Sequence, residues 1–259
     1  MALKITVLGS GTSMGVPTIG CDCGVCTSPD PRDNRLRPSI LVTVNGRNIL
    51  IDTTPDFRTQ ALRARIRRVD AILFTHEHAD HIMGLDDVRP FNFLQREGIP
   101  IYGSPEVLER IRRSFQYIFD GQRKESNVPR LTCNELDGQP FELFGETVVP
   151  VPVLHGSYPI YGFRIGRAAY LTDHSEVPEE SLALLEGLDV LFLDALRYKP
   201  HPTHSTVERS LETARRVGAR RVFFTHICHD LPHARTEERL PPHVRLAYDT
   251  LEIDVEDCV

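Results

Sequence analysis

This chain of 259 residues has no long apolar run, no excess of positive charge and no low-complexity tract. No apolar segment approaches the roughly 20 residues that a membrane-spanning helix needs. The segment from Met1 to Gly9 has no charged region followed by a long apolar one. We therefore expect a first strand there and not a signal peptide, and a cytoplasmic location. The formal net charge of −6 gives no general electrostatic reason to expect nucleic-acid binding.

Cysteine is used unevenly: of the 6 in the chain, three are Cys21, Cys23 and Cys26. Cysteines this close together have poor geometry for disulfides with one another. In a chain that we expect to lack a secretory signal, such a cluster favours metal binding. A tetrahedral zinc ion would need a fourth ligand from elsewhere in the chain.

The most informative stretch is the polar loop that follows the apolar run 71–74. It contains His76, His78, Asp80 and His81, and these side chains are of the types that zinc and similar divalent metals accept. Such groups are costly to pack together unless they hold something. Because four side chains of one loop cannot easily converge on one ion, we expect His76 and His78 at one metal and Asp80 and His81 at a second.

Three further candidate ligands lie in the second half of the chain. Each follows an apolar, strand-like run: His155, Asp173 and His226. Together with the first loop they make seven ligands, a number suited to two metals. Two ions roughly 3.5–4 Å apart can acidify a bridging water and stabilise a phosphoryl centre, which points to a hydrolase.

Some polar residues near these candidates have two interpretations. Asp52 either supports the metal loop through a hydrogen bond or caps the helix predicted over 55–68. His204 either begins a helix, or acts as a general acid or as a donor to a phosphoryl oxygen. His201 is close enough in sequence to support His204, and we expect His233 at the surface.

The pattern of apolar runs predicts a mixed α/β fold in one domain over residues 1–259, with a zinc-binding loop at about 20–30. Asn45-Gly46 between two β-type runs predicts a hairpin, and Ser104-Pro105-Glu106 predicts the start of a helix over about 104–119. Two β-rich halves, each followed by helices, suggest two sheets packed face to face with helices outside. The elements predicted in the second half are strands at 141–144, 147–153, 160–165, 168–172, 189–193 and 221–224, and helices at 178–186 and 205–217.

The motif His76-x-His78-x-Asp80-His81 resembles the signature of the metallo-β-lactamase superfamily of hydrolases. The resemblance implies a four-layer αββα sandwich with the metals at one edge of its two sheets. It also implies three ligands for each metal and one shared ligand: His76, His78 and His155; Asp80, His81 and His226; and the bridging Asp173. Members with a redox-active di-iron centre often have Glu at the position of His78, so this histidine favours hydrolysis.

The cysteine loop and the segment after His226 resemble a narrower family. The patterns Gly-Cys-Asp-Cys-x-x-Cys and Thr-His-x-x-His are similar to those of the phosphoribosyl 1,2-cyclic phosphate phosphodiesterases of the carbon–phosphorus lyase pathway. Similar segments extend over nearly the whole chain. We expect a structural zinc with Cys21, Cys23, Cys26 and His229 as ligands, and Cys228 is the alternative to His229.

These observations together predict a dinuclear metal-dependent phosphodiesterase. Its substrate would be a small cyclic or diester phosphate, attacked by a hydroxide that bridges the metals, and the resemblance to the narrower family implies phosphoribosyl 1,2-cyclic phosphate. Zinc or manganese would occupy the active site, and His204 and Asp80 would be catalytic. The resemblance implies a homodimer, and we expect neither a membrane nor a nucleic-acid partner.

Three other functions remain as alternatives. A tRNA 3′-processing endonuclease shares the ligand set and a histidine like His204, but the sequence has no glycine- and proline-rich insertion to grip tRNA. A thioester hydrolase of the glyoxalase II type shares the first motif and leaves the cysteine loop unexplained. A zinc-stapled binding module with a vestigial site would have lost metal ligands, and none is lost here.

Overall fold

The computed structural model describes residues 3–122 and 127–256, which form two seven-stranded sheets. The first sheet contains β1 (Leu3–Gly9), β2 (Ser39–Val44), β3 (Arg47–Ile51), β4 (Ala71–Leu73), β5 (Ile99–Gly103), β6 (Leu131–Glu135) and β14 (Glu252–Val255). The second contains β7 (Phe141–Leu143), β8 (Glu146–His155), β9 (Tyr158–Ile165), β10 (Ala168–Leu171), β11 (Val190–Asp194), β12 (Arg221–Thr225) and β13 (Val244–Leu246).

Each sheet has an antiparallel part and a parallel part. The first has the order β14-β1-β2-β3-β4-β5-β6 and is parallel from β3 to β6. The second has the order β13-β12-β11-β10-β9-β8-β7 and is parallel from β10 to β13. The hairpin predicted at Asn45-Gly46 is confirmed, because both residues have the positive φ angles of a tight turn, 50° and 75°, between the paired strands β2 and β3.

The helices lie outside the sheets and are mostly short. They are α1 (Phe57–Arg63), α2 (Ala79–Ile82), α3 (Arg89–Gln95), α4 (Pro105–Ser114), α5 (Gln116–Phe119), α6 (Glu179–Leu182), α7 (Val207–Val217) and α8 (His233–Glu237). Within residues 3–122 and 127–256, none of these helices is long and apolar enough to cross a bilayer.

Three predicted helices are shorter or broken. The helix predicted over 55–68 ends at Arg63, and Arg65 has a left-handed φ of 52°. The helix predicted over 104–119 begins as expected after the Ser104 cap, but Phe115 interrupts it with φ −119° and ψ 42°. The helix predicted over 178–186 is the short α6 followed by a 3-10 turn.

Three clusters of apolar side chains lie between four layers, and a fourth, small cluster lies at the cysteine loop. One lies between the sheets and includes Ile5 from the first and Phe192 from the second. Another packs Phe57 and Leu108 of the helices against the outer face of the first sheet. The third packs Val207 of α7 against the second sheet. The predicted αββα sandwich is therefore confirmed, and removal of these apolar faces from water is its main stabilising contribution.

The carboxyl ends of the parallel strands bring distant segments to one edge of the sandwich. The loop with His76 follows β4 in the first sheet. In the second sheet, Asp173 lies two residues after the end of β10, and His226 directly follows β12. Strand β11, between β10 and β12, ends at Asp194. In open α/β sheets, ligands bind at this end of the strands.

Candidate active site

Two groups of metal-ligand side chains meet at this edge and share one carboxylate, and a third group overlaps the second. The first consists of His76, His78, His155 and Asp173, the second of Asp80, His81, Asp173 and His226, and the overlapping group of Asp173, Asp194, His204 and His226. In each group the ligand atoms lie within 4.8 Å of one another. The structure thus brings together all seven residues singled out in the sequence, which we refer to below as the active-site cluster.

Asp173 lies at the centre of the active-site cluster. Its Oδ2 atom is 3.0 Å from His76 Nε2 and 2.9 Å from His81 Nε2. Its Oδ1 atom is 2.9 Å from His226 Nε2. One carboxylate thus faces imidazoles of both groups, as a ligand that bridges two ions would.

The ligand atoms are arranged to bind cations and not to form hydrogen bonds with one another. Asp80 Oδ2, His81 Nε2, Asp173 Oδ1 and His226 Nε2 are buried, and none of them has a hydrogen-bond partner among the described residues. Asp80 Oδ2 lies 3.1 Å from His81 Nε2 and Asp173 Oδ1 lies 2.9 Å from His226 Nε2, yet neither pair forms a hydrogen bond. Buried polar atoms without partners are costly, and ligand oxygens and nitrogens converging on one point suit a divalent ion.

Hydrogen bonds at the Nδ1 atoms of two imidazoles fix the orientation of the rings. Asp52 Oδ2 lies 2.7 Å from His81 Nδ1, and the same carboxylate accepts from the backbone and hydroxyl of Thr75. His155 Nδ1 donates to the backbone oxygen of Asp173 at 2.6 Å. Helix α1 has Asp56 as its N-terminal cap, so Asp52 does not cap it. Such partners fix the ring orientation that presents Nε2 to a metal.

The protonation states of Asp173 and His76 suit cation binding. Burial opposes the ionisation of Asp173, but His226 and the neighbouring histidines His204 and His76 hold the pKa of its carboxyl well below the usual value. Burial and the charge of His81 lower the pKa of His76 to about 4, so this imidazole is neutral and its lone pair is free. Neutral imidazole and ionised carboxylate are the forms that bind metals.

Two other imidazoles of the active-site cluster hold a proton. Against the effect of burial, Asp173 raises the pKa of His226 to about 10, and Asp80 and Asp52 raise the pKa of His81 well above its usual value. A bound metal would therefore displace a proton from each of these two imidazoles.

Three residues of the site have an unusual backbone conformation. Asp52, Asp173 and His226 have left-handed φ angles of 64°, 61° and 58°. Residues other than glycine rarely adopt this region, and tertiary contacts must maintain it. Each lies just after a strand, where the left-handed turn directs the side chain along the edge of the sheet.

The structure places His204 beside the active-site cluster and reveals a partner that the sequence reasoning missed. His204 Nδ1 lies 3.0 Å from Asp194 Oδ2 and 3.1 Å from Asp173 Oδ1, and its ring stacks on His226. Asp194 is fully buried at the end of β11. The sequence did contain a signal for Asp194, because an aspartate at the end of an apolar run is the same pattern that indicated Asp173. The ring of His201 is 4.8 Å from that of His204.

A second cluster, the cysteine cluster, consists of Cys21, Cys23, Cys26 and His229. His229 Nδ1 lies 3.3 Å from the sulfur atoms of both Cys21 and Cys26. The structure brings His229 to this cluster, while Cys228 accepts a hydrogen bond from the backbone of Asp230. A closed set of three thiols and one imidazole has the composition of a structural zinc site.

The expectation that His233 lies at the surface is wrong. His233 is fully buried, and its ring packs against Tyr248. Its backbone nitrogen donates to Asp33 at the start of α8. A short helix that packs inward by its first turn gives no periodic signal in the sequence, so this burial depends on the tertiary structure.

Comparisons with known proteins agree with this geometry. A model of the β-lactamase superfamily domain matches residues 47–227. The crystal structure of a diphosphatase from the PhnP family is 51% identical in sequence, with a TM-score of 0.93, and the match covers 100% of this chain and 99% of that one.

Two curated relatives are longer than this chain. An octanoyltransferase of Porphyromonas gingivalis is 40% identical over 258 residues, which are 98% of this chain and 52% of that protein. A ribonuclease Z of Bradyrhizobium diazoefficiens is 31% identical over 137 residues, which are 51% of this chain and 45% of that protein. The chain thus spans about half the length of these two relatives, and the activities named for them concern the longer proteins.

Proposed function

The chain belongs to the metallo-β-lactamase superfamily, as a hydrolase close to the PhnP family, and from this premise we propose that it is a dinuclear metal-dependent phosphodiesterase. The observation that supports the proposal best is the pair of ligand groups that share Asp173. A hydrolase with one ion would not need a carboxylate that faces imidazoles of two groups.

Two divalent ions held by the active-site cluster would acidify a water molecule and neutralise charge on a phosphoryl group. His76, His78 and His155 would hold one ion, Asp80, His81 and His226 the other, and Asp173 both. Zinc and manganese both accept these ligands, and we propose either metal. The cysteine cluster would hold one structural zinc.

The chain's own residues would orient the substrate and move a proton. His204 is mostly buried next to Asp173, and the two aspartates at 3.0 and 3.1 Å from its Nδ1 atom raise the pKa of the imidazole against the effect of burial. Asp194 would hold the ring so that Nε2 donates to a phosphoryl or leaving oxygen. Asp80 would contribute as a catalytic carboxylate as well as a ligand.

We propose a small phosphate ester as substrate. Resemblance to phosphoribosyl 1,2-cyclic phosphate phosphodiesterases suggests a cyclic sugar phosphate, and the PhnP-family relative suggests a diphosphate. A homodimer, a cytoplasmic location and a single domain with the zinc-binding loop are further parts of the proposal.

Metal content and diesterase activity, measured in one sample, test the function. We expect about three metals per chain, one of which resists chelation, and hydrolysis of methyl p-nitrophenyl phosphate that returns when zinc or manganese is restored. A chain that keeps one metal and hydrolyses no diester with any added ion would contradict the proposal.

A ribonuclease Z-like activity is the competing function, because the chain shares sequence with a ribonuclease Z and has His204 beside the active-site cluster. Cleavage of a precursor tRNA by nanomolar enzyme, at rates above those for small diesters, would favour it. We expect no such cleavage, since the net charge of −6 opposes binding of a polyanion.

A further inference from the structure

Two residues beside the active-site cluster extend its set of ligand atoms. Asp194 and His204 form a group with Asp173 and His226, and the ligand atoms of this group lie within 4.8 Å of one another. Strand β11 ends at Asp194, and His204 lies shortly before α7. The function proposed above gives Asp194 and His204 a part in proton donation only. Their side chains are, however, of the types that bind zinc and similar divalent metals.

The distances within this group suit a metal ion. His204 Nδ1 lies 3.0 Å from Asp194 Oδ2 and 3.1 Å from Asp173 Oδ1. Bonds of about 2.0–2.2 Å from zinc to nitrogen and oxygen ligands place neighbouring ligand atoms roughly 3–3.5 Å apart. The contact between His204 and Asp194 is a hydrogen bond. Because the separations are similar, a zinc ion could replace the shared proton with little movement of either side chain.

Two buried atoms of the group have no hydrogen-bond partner among the described residues. They are Asp173 Oδ1 and His226 Nδ1, on residues that are 2% and 0% exposed. His226 faces Asp173 through its Nε2 atom at 2.9 Å, whereas its Nδ1 atom lies 3.6 Å from Asp194 Oδ2. Buried polar atoms without partners are costly. The group therefore offers two unsatisfied ligand atoms beside the pair of His204 and Asp194.

Buried carboxylates also give the group its negative charge. Among the described residues, only histidines lie within ion-pair distance of Asp173 and Asp194. A buried carboxylate without a counter-charge is costly. Asp173 would face the first two ions, but Asp194 faces the rings of His204 and His226. A cation bound between these side chains would neutralise the charge of Asp194.

We propose that Asp194, His204 and Asp173 form a third metal position, which a divalent ion fills once the first two positions are occupied. His226 Nδ1 would be a fourth ligand. The proposal rests on the proposed function for the first two ions and for the role of His204. The third ion would bind more weakly than the others, because it would lie near the second ion, which shares Asp173 and His226, and like charges repel.

Zinc bound at this third position would inhibit the enzyme. An ion on His204 Nδ1 replaces the proton that this atom shares with Asp194. Asp194 then no longer fixes the ring for donation to a phosphoryl or leaving oxygen. Manganese should fill the position far less, because imidazole ligands suit zinc and the affinity of such sites rises from manganese to zinc.

Equilibrium dialysis of the full chain against zinc counts the bound ions without turnover. We expect about three ions per chain at low free zinc and about four when free zinc is roughly a hundredfold higher, but no fourth ion with manganese at that concentration. His204→Gln and Asp194→Asn each remove one ligand atom, so both should keep the three ions and lose the fourth. His201→Gln is the matched control and should bind all four, because the ring of His201 is 4.8 Å from that of His204 but belongs to none of the ligand groups among the described residues.

Hydrolysis of methyl p-nitrophenyl phosphate in the same samples tests the inhibition. In the unaltered chain and in His201→Gln, the rate should fall by about tenfold or more as the fourth ion binds. Excess manganese should leave the rate unchanged. Asp194→Asn starts from a lower rate, and excess zinc should change that rate by less than about twofold, since the third position is lost.

Three results would overturn the proposal. The count could stay at three as zinc rises, or both His204→Gln and Asp194→Asn could keep the fourth ion, which identifies adventitious binding at the surface. These variants could also lose one of the first three ions, which makes the altered residue an ordinary ligand. Absence of hydrolysis at low zinc contradicts the proposed function, whereas hydrolysis that the fourth ion does not lower contradicts only the inhibitory role of the third position.

Discussion

The ligands of the active-site cluster come from both sheets, whereas three of the four ligands of the cysteine cluster come from one loop, Cys21 to Cys26. The first cluster shares a buried carboxylate and is mostly enclosed; the second is partly exposed and has no carboxylate. A site whose ligands come from both sheets suits catalysis, because the folded core fixes the positions of the ligand side chains. A site whose ligands come mostly from one loop suits a structural metal, because binding of the metal orders the loop.

The two clusters nevertheless share one chain segment, and a buried arginine supports it. Arg35 donates to the backbone oxygens of Cys228 and Leu231 at 3.0 and 2.7 Å and to Asp33 at 2.9 Å. The segment that Arg35 holds carries His226 of one cluster and His229 of the other. Substitutions in each cluster and in this connection can therefore show whether the clusters act separately.

The largest effect is expected from Asp173→Ala. The change removes the ligand common to both groups, so diesterase activity should fall by more than about 10³-fold and the active-site metals should be lost. The metal of the cysteine cluster should remain, as measured by metal analysis of the purified variant. Loss of all metals would show that the two clusters are not independent.

His204→Gln should have the next largest effect. Removal of a proton donor lowers turnover by about 10²–10³-fold, while the metal content stays at that of the unaltered chain, because His204 is not one of the seven expected ligands. Asp194→Asn should reproduce part of the loss, since it disturbs the orientation of the same ring. A loss of metal equal to the loss of activity would instead make His204 a ligand.

Arg35→Lys tests the connection between the clusters. Lysine keeps the charge but cannot reach the four acceptors of this guanidinium, which include the backbone oxygen of Arg32. We expect about a tenfold loss of activity together with easier release of the chelation-resistant metal. Arg67→Lys, in the loop after α1 and outside both clusters, is the control and should change neither property. An effect on only one cluster would show that Arg35 supports that cluster alone.

Cys23→Ser should change activity least and stability most. We expect one metal fewer per chain and a melting temperature lower by about 5–10 °C, with activity within about threefold of the original at low temperature. Cys133→Ser, in β6 and outside both clusters, is the matched control. If Cys23→Ser left metal content and melting temperature unchanged, the structural-zinc proposal would be wrong.

Sequence reasoning was most successful where the chemistry is local. The apolar runs predicted strands β8 to β12 to within a few residues, because burial and strand-ending turns are encoded nearby. The prediction of one helix over 104–119 was wrong at Phe115, where the backbone leaves the helical conformation although the helical sequence pattern continues. Boundaries depend on contacts with other elements, which no local pattern contains.

The local sequence was enough to predict which residue types could bind metals and that most of them follow strands. The contact of His204 with Asp194, and the choice of His229 over Cys228 at the cysteine cluster, could be seen only in the folded chain. The tertiary structure also decided that His233 is buried. Side-chain types and strand ends follow from local composition. Proximity between residues far apart in the chain instead depends on strand order and on the packing of the two sheets.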